Sequence, residues 1–245
     1  MRKLVFNSCG KCENGYIYFK SNYEKVTQCA CLINFNKKLF LLTKLKKANI
    51  PSSISTYNIK DYIGPDTENN IPKITQFIEF YKTTFYDKMI YFYGEKGTQK
   101  TTLAWYIGRE LLKKNISVYY CLMNDLTNEL TEDKFNEANL IDKYYDTDCL
   151  IIDRAFDSDQ MTIYKSGYQL PFLDNFLRKR IEIEEKNTIL ISNSSVDNIA
   201  SQKMNTDIED FVRRKVLRYN TSVCFKDCYS LKDNFTEFNI FGETT

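Results

Sequence analysis

The amino-acid sequence predicts an α/β protein with a central parallel sheet flanked by helices, preceded by a small N-terminal module that binds zinc through four cysteines. Three observations lead to this prediction. Short apolar segments alternate with amphipathic ones, a glycine-containing loop separates the first strand of this series from its helix, and two close cysteine pairs stand near the N-terminus. Strands that alternate with helices are typical of a parallel sheet covered on both faces.

The composition limits the classes of protein that fit. A chain of 245 residues with 43% hydrophobic content has room for one α/β domain and a small appendage. The net charge of +2 gives no strong overall attraction to nucleic acid or membranes, so DNA contact would require a local basic patch. The sequence contains no histidine, which excludes hydrolases that depend on a histidine base.

No segment of the sequence predicts a membrane span or a secretion signal. The longest apolar runs fall far short of the roughly 20 residues of a membrane helix, and the N-terminus lacks the apolar region of a signal peptide. We therefore expect a cytoplasmic protein that makes no membrane contact. Disulfides are not expected in a reducing cytosol, so closely spaced cysteines suggest metal thiolates.

The N-terminal cysteines have the spacing C-x₂-C-x₁₆-C-x-C, with the tight-turn pair Asn14-Gly15 inside a hairpin-like spacer. Four thiolates in two pairs suit tetrahedral Zn²⁺ at a closed structural site. The predicted zinc ligands are Cys9, Cys12, Cys29 and Cys31. The alternatives are four unrelated buried cysteines, or a redox C-x-x-C pair, which the lack of a preceding thioredoxin-like strand disfavours.

The other four cysteines do not predict a second metal site. Cys121 and Cys149 lie within apolar strands and are predicted to belong to the core, whereas Cys224 and Cys228 are assigned no metal.

A helix is predicted to follow the cysteine module. The segment "NFNKKLFLLTKLKKANIP" has apolar residues at helical spacing, a basic face, Asn34 or Asn36 as N-cap and Pro51 as its stop. Residues 52–70 contain turn residues and little periodicity, so the domain boundary is placed near them. The predicted domains are therefore a zinc module with its connecting helix, residues 1–50, and a second domain, residues 51–245.

The second domain is predicted to alternate between helices and strands. The predicted helices cover residues 73–84, 101–114, 170–185 and 207–217, with further helices between 126 and 144. The predicted strands cover residues 88–93, 117–123, 149–153, 188–192 and 222–225.

The loop "GEKGTQKTT" between the first strand and helix of this domain is predicted to hold a nucleotide. Its two glycines permit a tight turn, its amides can point at a phosphate, and the helix that begins at Lys100 offers its positive end. Lys100 would reach the β- and γ-phosphates, and Thr101 would bind Mg²⁺. The predicted nucleotide-binding residues are Gly94, Glu95, Lys96, Gly97, Thr98, Gln99, Lys100, Thr101 and Thr102. The alternative is a purely structural turn.

Two further polar residues end apolar strands of the predicted sheet. Asp153 ends "CLIID", where a second oxygen ligand for Mg²⁺ is needed, although a carboxylate there could also cap a helix. Asn193 follows "NTILIS", where ligands collect in parallel sheets, and it could orient an attacking water. Its alternative is a turn asparagine.

These motifs, together with the cysteine pairs and "LPFLDNFLRKRIE", resemble the AAA+ helicase loaders of bacteria and phages, of the DnaC/DnaI type. The resemblance runs from Cys9 to about Phe225, and transposition ATPases of the IstB type share its core. It implies a P-loop AAA+ core without a full helical lid, with Lys100 and Thr101 as Walker A residues, Asp153 as the Walker B aspartate and Asn193 as the sensor-1 residue.

The resemblance also implies partners. Such ATPases form oligomers in which an arginine of one subunit completes the next subunit's site, and the candidates here are Arg213 and Arg214. The N-terminal module would bind a hexameric replicative helicase, and the core would bind ATP and single-stranded DNA. Side chains suggested for the helicase surface are Tyr16, Tyr18 and Phe19. Those suggested for DNA are Lys165, Arg178, Lys179 and Arg180. The alternatives are a solvated helix face for the run "RKR" at residues 178–180, and nucleotide or subunit contacts for Arg180.

Two departures from the family pattern predict weak or lost ATP hydrolysis. Arg154 follows Asp153 where these proteins have a second acid, unless Asp157 or Asp159 substitutes for it. Gln99 stands where a glycine precedes the lysine, and a left-handed backbone there would cost on the order of 1 kcal/mol. The alternatives to a loader are therefore a non-hydrolysing ATP-binding adaptor and an IstB-like transposition ATPase.

Overall fold

The computed structural model describes residues 5–18, 26–62, 67–79, 81, 89–136, 141–156, 170–195, 210–214 and 222–224. The strands are β1 (Tyr16–Tyr18), β2 (Val26–Gln28), β3 (Met89–Tyr93), β4 (Val118–Leu122), β5 (Cys149–Asp153), β6 (Asn187–Ser192) and β7 (Ser222–Cys224). The α-helices are α1 (Ala30–Lys47), α2 (Thr67–Glu79), α3 (Lys100–Lys113), α4 (Met123–Asn136), α5 (Asp142–Asp146) and α6 (Leu170–Arg178). Short 3₁₀ helices cover Ser52–Thr56 and Ile59–Asp61, a π-helical turn covers Lys179–Ile183, and residues 210–214 are helical.

Five parallel strands form the central sheet in the order β4-β5-β6-β3-β7, and this confirms the predicted α/β fold. Strand β5 is buried at every residue, as expected for a parallel strand covered on both faces. The register pairs Leu122 with Asp153 and Tyr93 with Ser192. The carboxyl ends of β3, β4, β5 and β6 therefore meet at one edge of the sheet.

Helices cover both faces of this sheet. On one face, Leu103, Ile107 and Leu111 of α3 pack against apolar side chains of β3, β5 and β6. On the other face, α4, α5 and α6 contribute Leu126, Tyr144 and Phe176 to a second cluster. The predicted core cysteines, Cys121 and Cys149, are buried in these two clusters, which confirms that prediction.

The end of α1 is built into the first of these clusters. Leu45 is fully buried against the α3 face, as are Ile50 and Ile54 after the helix. The Lys44 ammonium donates to the Leu112 carbonyl over 3.0 Å and to Asn115 Oδ1 over 2.7 Å. The division of the chain at residue 50 remains a prediction, and α1 bridges the two parts.

The predicted start of α1 at Asn34 or Asn36 was wrong. The helix begins at Ala30 with Cys29 as its N-cap, whose extended backbone leads directly from β2. The Leu32 and Ile33 amides close the first turn on the Cys29 carbonyl. Cys29 and Cys31 therefore lie on either side of the first helical residue, Ala30. Sequence rules favour Ser, Thr, Asp or Asn at the N-cap position that Cys29 occupies.

Helix α2 also begins earlier than predicted, at Thr67 rather than residue 73, and it contains Pro72. A proline inside a helix removes one backbone donor, which is why sequence patterns place helix starts beside it. The last predicted residues of this helix, 82–84, lie outside the described part of the chain.

Within the described residues, the remaining elements lie close to their predicted positions. Residues 207–209 and 215–217 of the last predicted helix, and residue 225 of the last strand, lie outside this part of the chain, as do Phe19, Lys165 and Cys228. In the described ranges, no helix is both long enough and apolar enough to cross a bilayer.

Candidate nucleotide-binding and metal sites

The loop between β3 and α3 forms a cradle around the side chain of Lys100. Its backbone turns through left-handed conformations at Gly97 (φ 89°) and Gln99 (φ 66°), and Gly94 also has a positive φ of 141°. The Lys100 ammonium donates to the Gly94 carbonyl over 2.7 Å and to the Glu95 carbonyl over 2.6 Å. With only 6% of Lys100 exposed, the loop holds a buried positive charge at the start of a helix. This combination is suited to binding a phosphate group.

Three donors converge on the carboxylate of Asp153, at the end of β5. The Thr101 hydroxyl donates to Oδ2 over 2.8 Å, the Tyr120 phenol donates to the same oxygen over 2.9 Å, and the Arg154 amide donates to Oδ1 over 2.7 Å. Burial, and then the charge of Asp153, raise the pKa of the Tyr120 phenol. The phenol is therefore a proton donor across the physiological pH range.

The donor set at Thr101 and Asp153 fits a magnesium ion. A hydroxyl oxygen and a carboxylate oxygen within hydrogen-bond distance are hard ligands of the kind that Mg²⁺ prefers beside substrate phosphates. These two residues would hold the ion.

These residues line one cleft of about 610 Å³ at the carboxyl edge of the sheet. Its lining contains seven of the nine predicted nucleotide-binding residues, those from Lys96 to Thr102, together with Asp153 and Asn193. Gly94 and Glu95 are absent from the lining and act through the carbonyls that accept from Lys100. The fold thus brings the loop, the strand-end aspartate and the strand-end asparagine to one place.

Arg154 lies in the same lining, with an exposed side chain and a left-handed backbone (φ 55°). The next amide, that of Ala155, donates to the Ile191 carbonyl over 2.7 Å, so the chain turns towards β6 directly after Asp153. A guanidinium therefore follows the cleft-lining carboxylate of Asp153 directly. Asp157 and Asp159 lie outside the described residues.

Neither candidate arginine of the C-terminal region lies in this cleft. Arg213 and Arg214 belong to the helical residues 210–214, whose Phe211 and Val212 are buried, and neither is among the cleft-lining residues. Arg214 is exposed and its Nε donates to the Asp210 carbonyl over 3.2 Å. Their assignment as residues that act on a neighbouring subunit remains a prediction.

The suggestion that Arg180 contacts DNA was wrong, because its side chain is fully buried. The guanidinium donates to the carbonyls of Tyr144, Thr147 and Asn187 and to the Thr188 hydroxyl. It therefore ties the end of α5 to the start of β6. Sequence periodicity could not separate this residue from its exposed neighbours in the basic run.

Three aromatic residues at the site escaped the sequence analysis. Tyr120 touches Asp153, the Trp105 ring lies 5.5 Å from the Tyr120 ring, and the Tyr57 hydroxyl donates to Gln99 Oε1 over 3.4 Å. A signal for Tyr120 was present, since alternate residues of a strand share one face and Tyr120 precedes by two the residue that pairs with Asp153. No comparable pattern marks Tyr57.

The four N-terminal cysteines form a second site. Their sulfur atoms all lie within 4.8 Å of one another, with Sγ separations of 3.8 Å for Cys9–Cys12, 3.6 Å for Cys9–Cys29 and 3.4 Å for Cys12–Cys31. Tetrahedral zinc with Zn–S bonds of about 2.3 Å requires sulfurs about 3.8 Å apart, so the cluster fits this ion. A backbone hydrogen bond at Cys9 is the main cause that lowers the pKa of the Cys12 thiol to about 7, whereas burial raises the pKa of its neighbour Cys31 to about 12. Cys12 is therefore the thiol of this pair that ionises first.

The sheet order, the glycine-containing loop and the strand-end aspartate together give this domain an α/β fold of the P-loop AAA+ type. No protein-family model matches the chain, and no curated protein matches it in sequence. Among solved structures it is similar to DnaI, at a TM-score of 0.55 and 20% identity over 73% of this chain and 91% of that one. The resemblance to AAA+ helicase loaders is thus confirmed at the level of the fold.

Two further structures show the same fold over a smaller share of their own length. A DNA replication initiation factor matches at a TM-score of 0.56 and 17% identity, over 77% of this chain and 57% of that one. The replication initiator DnaA bound to AMPPCP and single-stranded DNA matches at 0.52 and 18%, over 77% and 57%. The chain therefore spans a little over half of these two proteins.

Proposed function

We propose that this protein is an ATP-binding helicase loader that acts in the initiation of DNA replication. In this proposal the cysteine module binds zinc and a hexameric replicative helicase, and the AAA+ core binds ATP with Mg²⁺, single-stranded DNA and further copies of itself. The proposal is supported by the similarity of the fold to that of DnaI and of the replication initiator DnaA, which was solved with AMPPCP and single-stranded DNA.

The observation that carries the proposal is the paired geometry of the loop and the strand end. Lys100 lies inside the loop, and Thr101, the next residue, is hydrogen-bonded to Asp153 over 2.8 Å. One residue would therefore meet the phosphates while the other meets the metal that neutralises them. Mg²⁺, when bound, would supply this neutralisation, and Asn193 lines the same cleft where a γ-phosphate would end.

The proposed helicase surface rests on the distribution of exposed apolar side chains. Of the eight large hydrophobic residues exposed in the described part of the chain, seven lie between residues 5 and 40. They are Val5, Tyr16, Tyr18, Val26, Ile33, Leu39 and Phe40. Helix α1 carries five lysines and no acidic residue, so we infer a partner surface with apolar and acidic groups.

Arg154 favours a second candidate, an adaptor that binds ATP without hydrolysing it. Its side chain lines the cleft where a carboxylate would polarise the attacking water. In this case the bound nucleotide would hold one conformation of the protein, and function would reside in partner binding.

Nucleotide binding and turnover by the purified protein test the core. We expect wild type to bind ATP with Mg²⁺, and Lys100→Ala to weaken binding by about 100-fold because a buried charge on the phosphates is lost. Wild-type binding no stronger than that of Lys100→Ala would contradict the proposal. Turnover that rises with single-stranded DNA or helicase supports the loader, whereas turnover that appears only in Arg154→Glu supports the adaptor.

Helicase capture by the full-length protein tests the module. We expect Phe40→Ser to reduce capture of a hexameric replicative helicase, because Phe40 is 59% exposed on α1. Ile183→Ser is the matched control, since Ile183 is 75% exposed at a distant position in the chain. Equal loss in both variants, or none in Phe40→Ser, would contradict this surface.

A further inference from the structure

Tyr120 lies between the metal site and the N-terminal part of the chain. It belongs to β4, an edge strand of the sheet in the described residues, and its phenol donates to Asp153 Oδ2. The Thr101 hydroxyl donates to the same oxygen. Tyr120 therefore reaches Asp153 from a neighbouring strand, whereas Thr101 reaches it from the start of α3.

The backbone of Tyr120 is held from the other side. The Tyr120 amide donates to the Ala48 carbonyl over 2.9 Å, and Asn49 Nδ2 donates to the Tyr120 carbonyl over 3.0 Å. Both partners belong to the turn that ends α1, where Asn49 adopts a left-handed φ of 57°. The turn after α1 thus occupies both hydrogen-bonding groups of Tyr120 on the open edge of β4.

We propose that Tyr120 is a positioning residue of the nucleotide site, which orients the Asp153 carboxylate for Mg²⁺ and is itself held by the turn after α1. This inference rests on the proposed nucleotide binding. A carboxylate held by donors on both oxygens keeps one orientation, and a metal–phosphate site needs that orientation before the ligand arrives. The same contacts connect α1, the helix of the proposed helicase surface, to the metal ligand through a single residue.

The chain contains a suitable reporter for this site. Trp105 is its sole tryptophan, it lines the cleft, and its ring meets the Tyr120 ring edge-on. Its fluorescence should therefore respond to ATP binding. Affinity for ATP can be measured in EDTA and as a function of Mg²⁺ concentration.

The test compares Tyr120→Phe with Tyr119→Phe in the full-length protein. Tyr119 is the neighbouring tyrosine on the opposite face of β4, where its ring packs 5.6 Å from that of Tyr144. We expect Tyr120→Phe to raise the Mg²⁺ concentration for half-maximal ATP binding about fivefold or more, through loss of one hydrogen bond to a charged group. Its ATP affinity in EDTA should stay within about twofold of wild type, and Tyr119→Phe should match wild type in both measurements.

Asn49→Gly tests the connection to α1, because glycine keeps the left-handed turn and removes only the amide side chain. We expect a smaller shift in the same direction, of about twofold. An unchanged Mg²⁺ dependence in Asn49→Gly would overturn the connection.

The remaining outcomes separate this inference from the proposed function. An unchanged Mg²⁺ dependence in Tyr120→Phe, or an equal loss of affinity with and without Mg²⁺, would overturn the positioning role. Wild type that binds no ATP in either condition would overturn the proposed function and this inference with it.

Discussion

The N-terminal cysteine module and the central sheet differ in how much of their strands is buried. No residue of β1 or β2 is buried, whereas every residue of β5 is. Apolar burial therefore stabilises the sheet and contributes little to the hairpin. What holds the hairpin near α1 is the convergence of four cysteines, with the Cys29 amide hydrogen-bonded to the Gly15 carbonyl over 2.7 Å.

This difference in burial explains why most of the exposed apolar side chains lie in the N-terminal part of the described chain. A module folded by the proposed zinc would have no need to bury its aromatic residues, and Tyr16, Tyr18 and Phe40 are indeed exposed. The sheet, in contrast, uses nearly all of its apolar residues internally and keeps polar groups at one edge. In the proposed function, partner binding and nucleotide binding therefore belong to separate parts of the chain.

Metal removal should have the largest effect of the predicted experiments, and it should affect the cysteine module far more than the sheet. We expect Cys31→Ser, or a chelator, to release zinc and to abolish the exchange protection of residues 5–18 and 26–35, because little burial remains to hold them. The protection of β3, β5 and β6 should be retained. Zinc content by mass spectrometry and hydrogen–deuterium exchange on the same sample measure both effects.

Cys121→Ala is the matched control for this experiment. Cys121 is buried in the core and lies outside the four-sulfur cluster, so this variant should keep its zinc and lose about 1 kcal/mol of core stability. A Cys31→Ser protein with full zinc content, or with a sheet that exchanges as fast as its hairpin, would contradict the assignment.

Substitution of Arg180 tests the opposite case, in which the core loses stability and the cysteine module is unaffected. We expect Arg180→Leu to lower the free energy of unfolding by at least about 3 kcal/mol, because three carbonyls lose a charged donor at once. Zinc content should not change. Chemical denaturation measures the loss, and Lys179→Ala is the control, since the Lys179 side chain is 53% exposed. A loss equal to that of Lys179→Ala would show that Arg180 lies at the surface.

The order of the elements could be predicted from the sequence because parallel strands in a two-sided core are continuous apolar runs, such as "CLIID". The exceptions have local causes. Cys29 caps α1 although cysteine is not a capping residue, and Pro72 is accommodated inside α2. Neither case can be predicted without knowing what the surrounding chain supplies.

The residues of the site that lie at strand ends could be predicted from the sequence. Those whose contacts depend on how two strands pair could not. Lys100, Asp153 and Asn193 meet because the carboxyl ends of β3, β5 and β6 share one edge. Tyr120 was read as an ordinary strand residue, since its contact with Asp153 requires the pairing of β4 with β5. The burial of Arg180 could not be predicted, because the periodicity of the sequence does not distinguish one buried member of a basic run from the others.

The smallest predicted effect concerns Gln99, which holds a left-handed backbone (φ 66°) in the phosphate loop. Glycine relieves about 1–2 kcal/mol of strain there but loses about 0.5–1 kcal/mol to greater freedom of the unfolded chain. We therefore expect Gln99→Gly to stabilise the core by about 0.5 kcal/mol and to bind ATP more tightly, since no Cβ then stands beside the phosphate. Both variants lose the long 3.4 Å contact with Tyr57, but Gln99→Ala also keeps the strain, so it should be less stable than Gln99→Gly. Thermal unfolding and ATP titration of the two variants measure these effects. An alanine variant as stable as the glycine variant would show that the backbone at residue 99 is not strained.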